Sequence, residues 1–138
     1  MQKQKKKEYQ IKYMKFSIPK PPSVNTLYGF HGWHKYMTKR GKEWFEEAGW
    51  KIREQVPYTG KPLRESKLTI VAYIIQGDID NLLKATQDLL TQMEIIEDDR
   101  YIMHIDMTKF VVHHRKDERL DIIIEKYANK GENLCTSR

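Results

Sequence analysis

Residues 68–75, Leu-Thr-Ile-Val-Ala-Tyr-Ile-Ile, are rich in β-branched and apolar side chains and predict a strand. The run leads directly into Gly77-Asp78-Ile79-Asp80-Asn81-Leu82-Leu83-Lys84. A helix over residues 80–94 is expected next, with Leu82, Leu83, Leu89, Leu90 and Met93 as its core face. Asp80 near its first turn suits the positive end of the helix dipole. A strand, a glycine and a helix in immediate succession commit the chain to a sheet with helices packed on it.

The rest of the sequence fits that frame. A strand is expected over residues 11–18, stopped by Pro19, Pro21 and Pro22, which remove ladder donors. Residues 23–38 read as an aromatic, glycine-containing loop with Tyr28, Phe30, Trp33 and Tyr36. Thr38 is a plausible N-cap for a helix over residues 39–55, and Trp44, Phe45, Ala48, Ile52 and Val56 form its apolar stripe. After a turn at Glu97-Asp98-Asp99, a strand is expected over residues 101–112. A hairpin turn at 116–118 and a last strand over 120–125 follow. The order is β-α-β-α-β-β, an α/β chain of α+β type with a mixed sheet and two packed helices.

The 138 residues suit one domain, here residues 11–128, between a Lys/Gln-rich extension over 1–10 and a polar tail over 129–138. No internal repeat is visible. No run approaches the ~20 apolar residues of a membrane-spanning helix, and no apolar signal segment follows the N-terminal lysines. Cys135 is the single cysteine, which excludes an intrachain disulfide or a cysteine-based zinc site. The expectation is a cytoplasmic protein without membrane association. The net charge of +6 favours polyanionic partners, nucleic acid among them.

Asp78 and Asp80 are two residues apart at a strand's end, where alternate side chains share a side. Lys84 lies one helical turn beyond Asp80, and Asp88 another turn on. Asp98 and Asp99 return the chain to the same sheet, so that one of them could meet Asp78 and Asp80. Clustered carboxylates repel one another unless a cation joins them. Mg²⁺ takes oxygen ligands and activates water against a phosphodiester, with Mn²⁺ expected to substitute. Lys84 would add positive charge where the transition state gains negative charge. The same spacing also fits an acidic helix start with a surface ion pair, and that alternative stays open here. His31 and His34 read as solvated loop residues before ligands. His113 and His114, beside Arg115 and Lys116, read as a basic edge. The loop aromatics suit either base stacking or core packing.

Two blocks give the chain a resemblance to the RusA family of Holliday-junction resolvases. One is Pro21-Pro22-Ser23-Val24-Asn25, followed by Tyr28 and the helix start at Thr38–Gly41. The other is Asp78-Ile79-Asp80-Asn81-Leu82 with Lys84, then Asp98-Asp99. The resemblance covers residues 12–126. It implies a Mg²⁺-dependent endodeoxyribonuclease that makes paired nicks in four-way DNA junctions, in recombination and repair, as a homodimer. The implied catalytic residues are Asp78, Asp80, Lys84 and Asp99, with Asp78, Asp80 and Asp99 as metal ligands and Asp98 and Asn81 as second choices. It also implies a bacterial or phage setting. Family members often carry basic residues just before the first aspartate; this chain has Ile74-Ile75-Gln76-Gly77. A non-catalytic branched-DNA-binding module, or a nuclease preferring flaps or forks, are the rival readings.

Overall fold

The computed structural model describes residues 13–56 and 60–127, so the N-terminal extension and the C-terminal tail lie outside the described residues. The main sheet has four strands: β1 (Tyr13–Ile18), β4 (Ser66–Ile74), β5 (Ile102–Val111) and β6 (Arg119–Lys126). Their spatial order is β1-β6-β4-β5. β6 runs antiparallel to both β1 and β4, whereas β4 and β5 are parallel. Three α-helices accompany the sheet: α1 (Val24–Leu27), α2 (Lys39–Gln55) and α3 (Ile79–Gln92). β2 (Tyr28–His31) and β3 (His34–Met37) form a separate antiparallel ribbon.

β4 shows why the sheet faces as it does. Leu68, Ile70, Ala72 and Ile74 are buried, while the alternating Lys67, Thr69, Val71 and Tyr73 are only half-buried. One face therefore carries the core, as expected where helices cover a sheet on one side. Phe16 and Ile18 from β1, and Leu120, Ile122 and Ile124 from β6, join that layer. The expected helical stripes close it: Trp44, Phe45, Ala48 and Ile52 from α2, and Leu82, Leu89 and Leu90 from α3, are all buried. Val56, Leu83 and Met93 pack on its margin. Thr38 caps α2 by accepting a hydrogen bond from the Gly41 amide at 3.0 Å.

Two expectations need correction. Residues 23–38 are ordered secondary structure, not a loop. Ser23 caps the one-turn α1, and the chain then doubles back through a two-residue turn at Gly32-Trp33. Gly32 takes φ +62°, the left-handed conformation that tight hairpins demand. Residues 112–118 do not close a hairpin, because β4 separates β5 from β6. The segment instead crosses the end of β4, where Val112 donates to Ile74 O at 2.9 Å and Glu118 accepts from the Ile75 amide at 3.0 Å.

Candidate active site

The first acidic block sits where β4 gives way to α3. Gly77 has φ +148°, outside the comfortable range of residues with a Cβ, and turns the chain out of the sheet. Asp78 is then the N-cap of α3 in extended conformation, and its side chain makes no capping bond. Asp80 lies in the first helical turn. Both carboxylates are exposed. Lysines that are distant in sequence fix the approach to them. Lys20 Nζ donates to Gln76 O at 2.6 Å and pairs with Glu118 at 3.2 Å. Lys109 Nζ donates to Gly77 O at 3.2 Å. The stretch before Asp78, which lacks basic residues in sequence, is thus flanked by two of them in space.

Asp99 stands elsewhere. It opens a 3₁₀ turn (Asp99–Tyr101) that leads into the N-terminal end of β5. Because β5 is parallel to β4, with Ser66 opposite Ile102 and Ile74 opposite Val111, Asp99 and Asp78 flank opposite ends of this strand pair. The expected meeting of Asp78, Asp80 and Asp99 is therefore not formed. Among the described residues, no group of three or more His, Cys, Asp or Glu side chains is placed to hold a metal ion.

Lys84 acts on the Asp99 region. Its ammonium pairs with Asp88 Oδ1 at 3.6 Å, and its charge also acts on Asp99. Asp98 and Asp99 are neighbouring carboxyls, and a hydrogen bond between them would need one of the two to hold a proton. That bond, then burial and the charge of Asp98, push the Asp99 carboxyl up, with Lys84 pulling it back. Asp98 is held down, first by the backbone N–H of Arg100, which it accepts at 3.1 Å.

A cleft of about 420 Å³ runs from Asp99 past Asp88, Thr91 and Gln92 to Tyr28, Lys35, Tyr36 and Met37. Tyr28 donates to Asp88 Oδ2 at 2.6 Å. Burial, followed by that bond and the charge of Asp88, raises the phenol far above its usual range, so it remains a donor. Lys35 lies 4.0 Å from the centre of the Tyr28 ring. The ribbon beyond projects into solvent, with Phe30 and Trp33 highly exposed. His31 and His34 face each other beside its turn. Asn25 is exposed on α1, and His113 and His114 are exposed in the crossing segment.

Sequence reasoning had placed Asp88 on the helix face but gave it no partner. The Lys84–Asp88 pair was legible in the four-residue spacing. Tyr28, Lys20, Lys109 and Glu118 had no local signal, since each reaches the region from a remote element.

Comparison with known families, not the site geometry alone, places the chain in a class of DNA-cutting proteins. The family model described as endodeoxyribonuclease RusA matches residues 19–125, most of the chain and every element that bears the site. The chain belongs to the RusA family of endodeoxyribonucleases, which act on Holliday junctions. A comparison with curated proteins returned no match. No helix among the described residues is long and apolar enough to cross a membrane.

Proposed function

We propose that this protein is a homodimeric, Mg²⁺-dependent endonuclease that resolves Holliday junctions by paired nicks during recombination and repair. The observation that carries the reading is the family match over residues 19–125, with Asp78 and Asp80 exposed at the mouth of α3 inside it. These two carboxylates have no hydrogen-bond or ion-pair partner among the described residues. They suit a hard cation that takes one or two carboxylates plus water and phosphate oxygens. Asp99 is the third proposed ligand, although a single chain does not bring it to the other two. When bound, the metal would polarise the phosphate and lower the pKa of the attacking water.

The protein's own groups supply the rest. Lys84, half-exposed between Asp80 and Asp88, offers positive charge to the phosphodiester as negative charge develops. Lys20 and Lys109 hold the Gln76–Gly77 backbone so that Asp78 starts α3 in a fixed place. Phe30 and Trp33, on a ribbon whose only charged side chain is Lys35, present aromatic faces to unpaired bases.

The test is cleavage of a synthetic four-way junction in Mg²⁺ by wild type and Asp80→Asn, with binding followed in the same samples. Paired nicks by the wild type, and binding without cutting by the variant (a loss of about 100-fold or more), are expected. A wild type that binds the junction and leaves it intact in Mg²⁺ and Mn²⁺ sinks the reading and favours a binding module.

A further inference from the structure

We infer that Tyr28 and Asp88 are positioning residues for Lys84: the Tyr28 hydroxyl fixes the Asp88 carboxylate, and that carboxylate holds the Lys84 ammonium. Neither residue touches the substrate; both act through the lysine. The inference deepens the proposed function and rests on its assignment of Lys84 to the phosphodiester.

The bonds form one chain through a single carboxylate. Tyr28 donates to Asp88 Oδ2 at 2.6 Å, and Lys84 Nζ lies 3.6 Å from Asp88 Oδ1. One oxygen thus serves β2, and the other serves the preceding turn of α3. The Asp88 side chain is 22% exposed against 46% for Lys84, so the carboxylate is the sheltered anchor and the ammonium the accessible end. Tyr28, Asp88 and Asp99 line the same cleft, and the charges of Lys84 and Asp88 both reach the Asp99 carboxyl. The chain of contacts therefore ends beside a carboxylate that the proposed function makes a metal ligand.

Helix stability does not account for the Lys84–Asp88 pair. At this spacing a lysine that precedes its acidic partner is the less favourable order, because it sets the cation toward the positive end of the helix. Half-exposed ion pairs also contribute little on their own. Yet Tyr28 places a partly buried hydroxyl on this carboxylate, and burial, then the bond to Asp88 and its charge, keep that hydroxyl protonated and donating. Tyr28 is in turn held on every side. Leu27 before it is fully buried, and its carbonyl accepts from the Thr38 amide at 2.9 Å. Tyr28 pairs with Met37 across the ribbon. Its ring lies 6.3 Å from that of Phe45 and 4.0 Å from Lys35 Nζ. Backbone, ring and hydroxyl are all restrained, so Tyr28 is a rigid post. A free lysine instead samples many rotamers, and ordering it before the substrate arrives removes that entropy from the chemical step.

The experiment compares wild type, Tyr28→Phe, Asp88→Asn and the double variant, at a temperature where circular dichroism shows each one folded. Three quantities are read: the single-turnover rate of cutting a four-way junction in Mg²⁺, the affinity for that junction without metal, and the order parameter of the Lys84 ammonium. The last comes from nitrogen relaxation in NMR, without DNA or metal. Each single variant should cut about tenfold more slowly or worse, the size of one charge-assisted hydrogen bond, and affinity should not fall. The Lys84 order parameter should drop in both. The double variant should cut no more slowly than the slower single, because both changes break the same chain of contacts. Losses that multiply in the double variant would mean two independent effects and overturn the inference. So would a loss of affinity that matches the loss of rate, or a Lys84 order parameter that neither change moves. Lys84 loosened in both variants, with a wild type that leaves the junction intact, would reject the nuclease reading alone. Cutting by wild type, with rate and Lys84 order unaltered in the variants, would reject the positioning role alone.

Discussion

Glu118 is a good measure of how single residues hold this site. Burial raises its carboxyl, but the Ile75 amide, the Lys20 ammonium and Arg115 outweigh that and leave it below the usual glutamate range. A depressed carboxyl stabilises the fold at pH values above its unfolded pKa of about 4.3, and the contribution is lost as pH falls through the folded value. Glu118→Gln should therefore be less stable than wild type near neutrality, and the gap should close in acid below about pH 4. Urea unfolding at pH 7 and pH 3 checks this; a gap that stays constant with pH would mean the Lys20–Glu118 pair carries no weight. The sequence offered little warning of such a residue. Asp78, Asp80 and Lys84 announce themselves by spacing. Glu118 gains its role from Lys20, which is brought to it only when β1 and β6 pair and Pro19 ends β1.

At the scale of elements, the long helices and strands were legible because each repeats its burial pattern many times. The expected helix over 39–55 is α2 without an end displaced. The β2–β3 ribbon was not legible, for two physical reasons. Its strands have four residues each, too few to show a period, and most of their side chains face solvent, so no apolar alternation was needed. Its turn is Gly-Trp, without the Asn-Gly or Asp-Gly that signals a hairpin most clearly. The ribbon's exposure makes a prediction at the same scale. Trp33 contributes nothing to the core, so Trp33→Ala should leave the unfolding midpoint within about 1 °C of wild type, as surface changes do. Stacking on a base contributes about 1–3 kcal/mol, so affinity for a four-way junction should fall roughly 5- to 150-fold. Fluorescence anisotropy with a labelled junction measures it. Unchanged affinity would leave the ribbon without a part in DNA binding.

The whole molecule imposes what neither residue nor element could reveal. A strand followed by a helix and a parallel strand must start the second strand at the end where the first began. The short sequence distance from Asp80 to Asp99 suggested convergence, but the parallel β4–β5 pair separates them. The same topology leaves β5 as an open edge, because β6 inserts on the far side of β4. Neighbour relations of this kind are long-range, and no local periodicity encodes them. Charge makes the consequence measurable. Each chain carries +6, so the proposed homodimer would carry twice that and could lay one chain on each of two junction arms. Every neutralised phosphate releases condensed counterions, and log K falls with log salt in proportion to the number of phosphates engaged. In an Asp80→Asn background, which prevents cutting, a homodimer that grips with both chains should show about twice the salt slope on a four-way junction that it shows on a short linear duplex accommodating one chain. Equal slopes on the two substrates would mean that one chain makes all the phosphate contacts and that two-fold pairing is not how the protein grips a branched substrate.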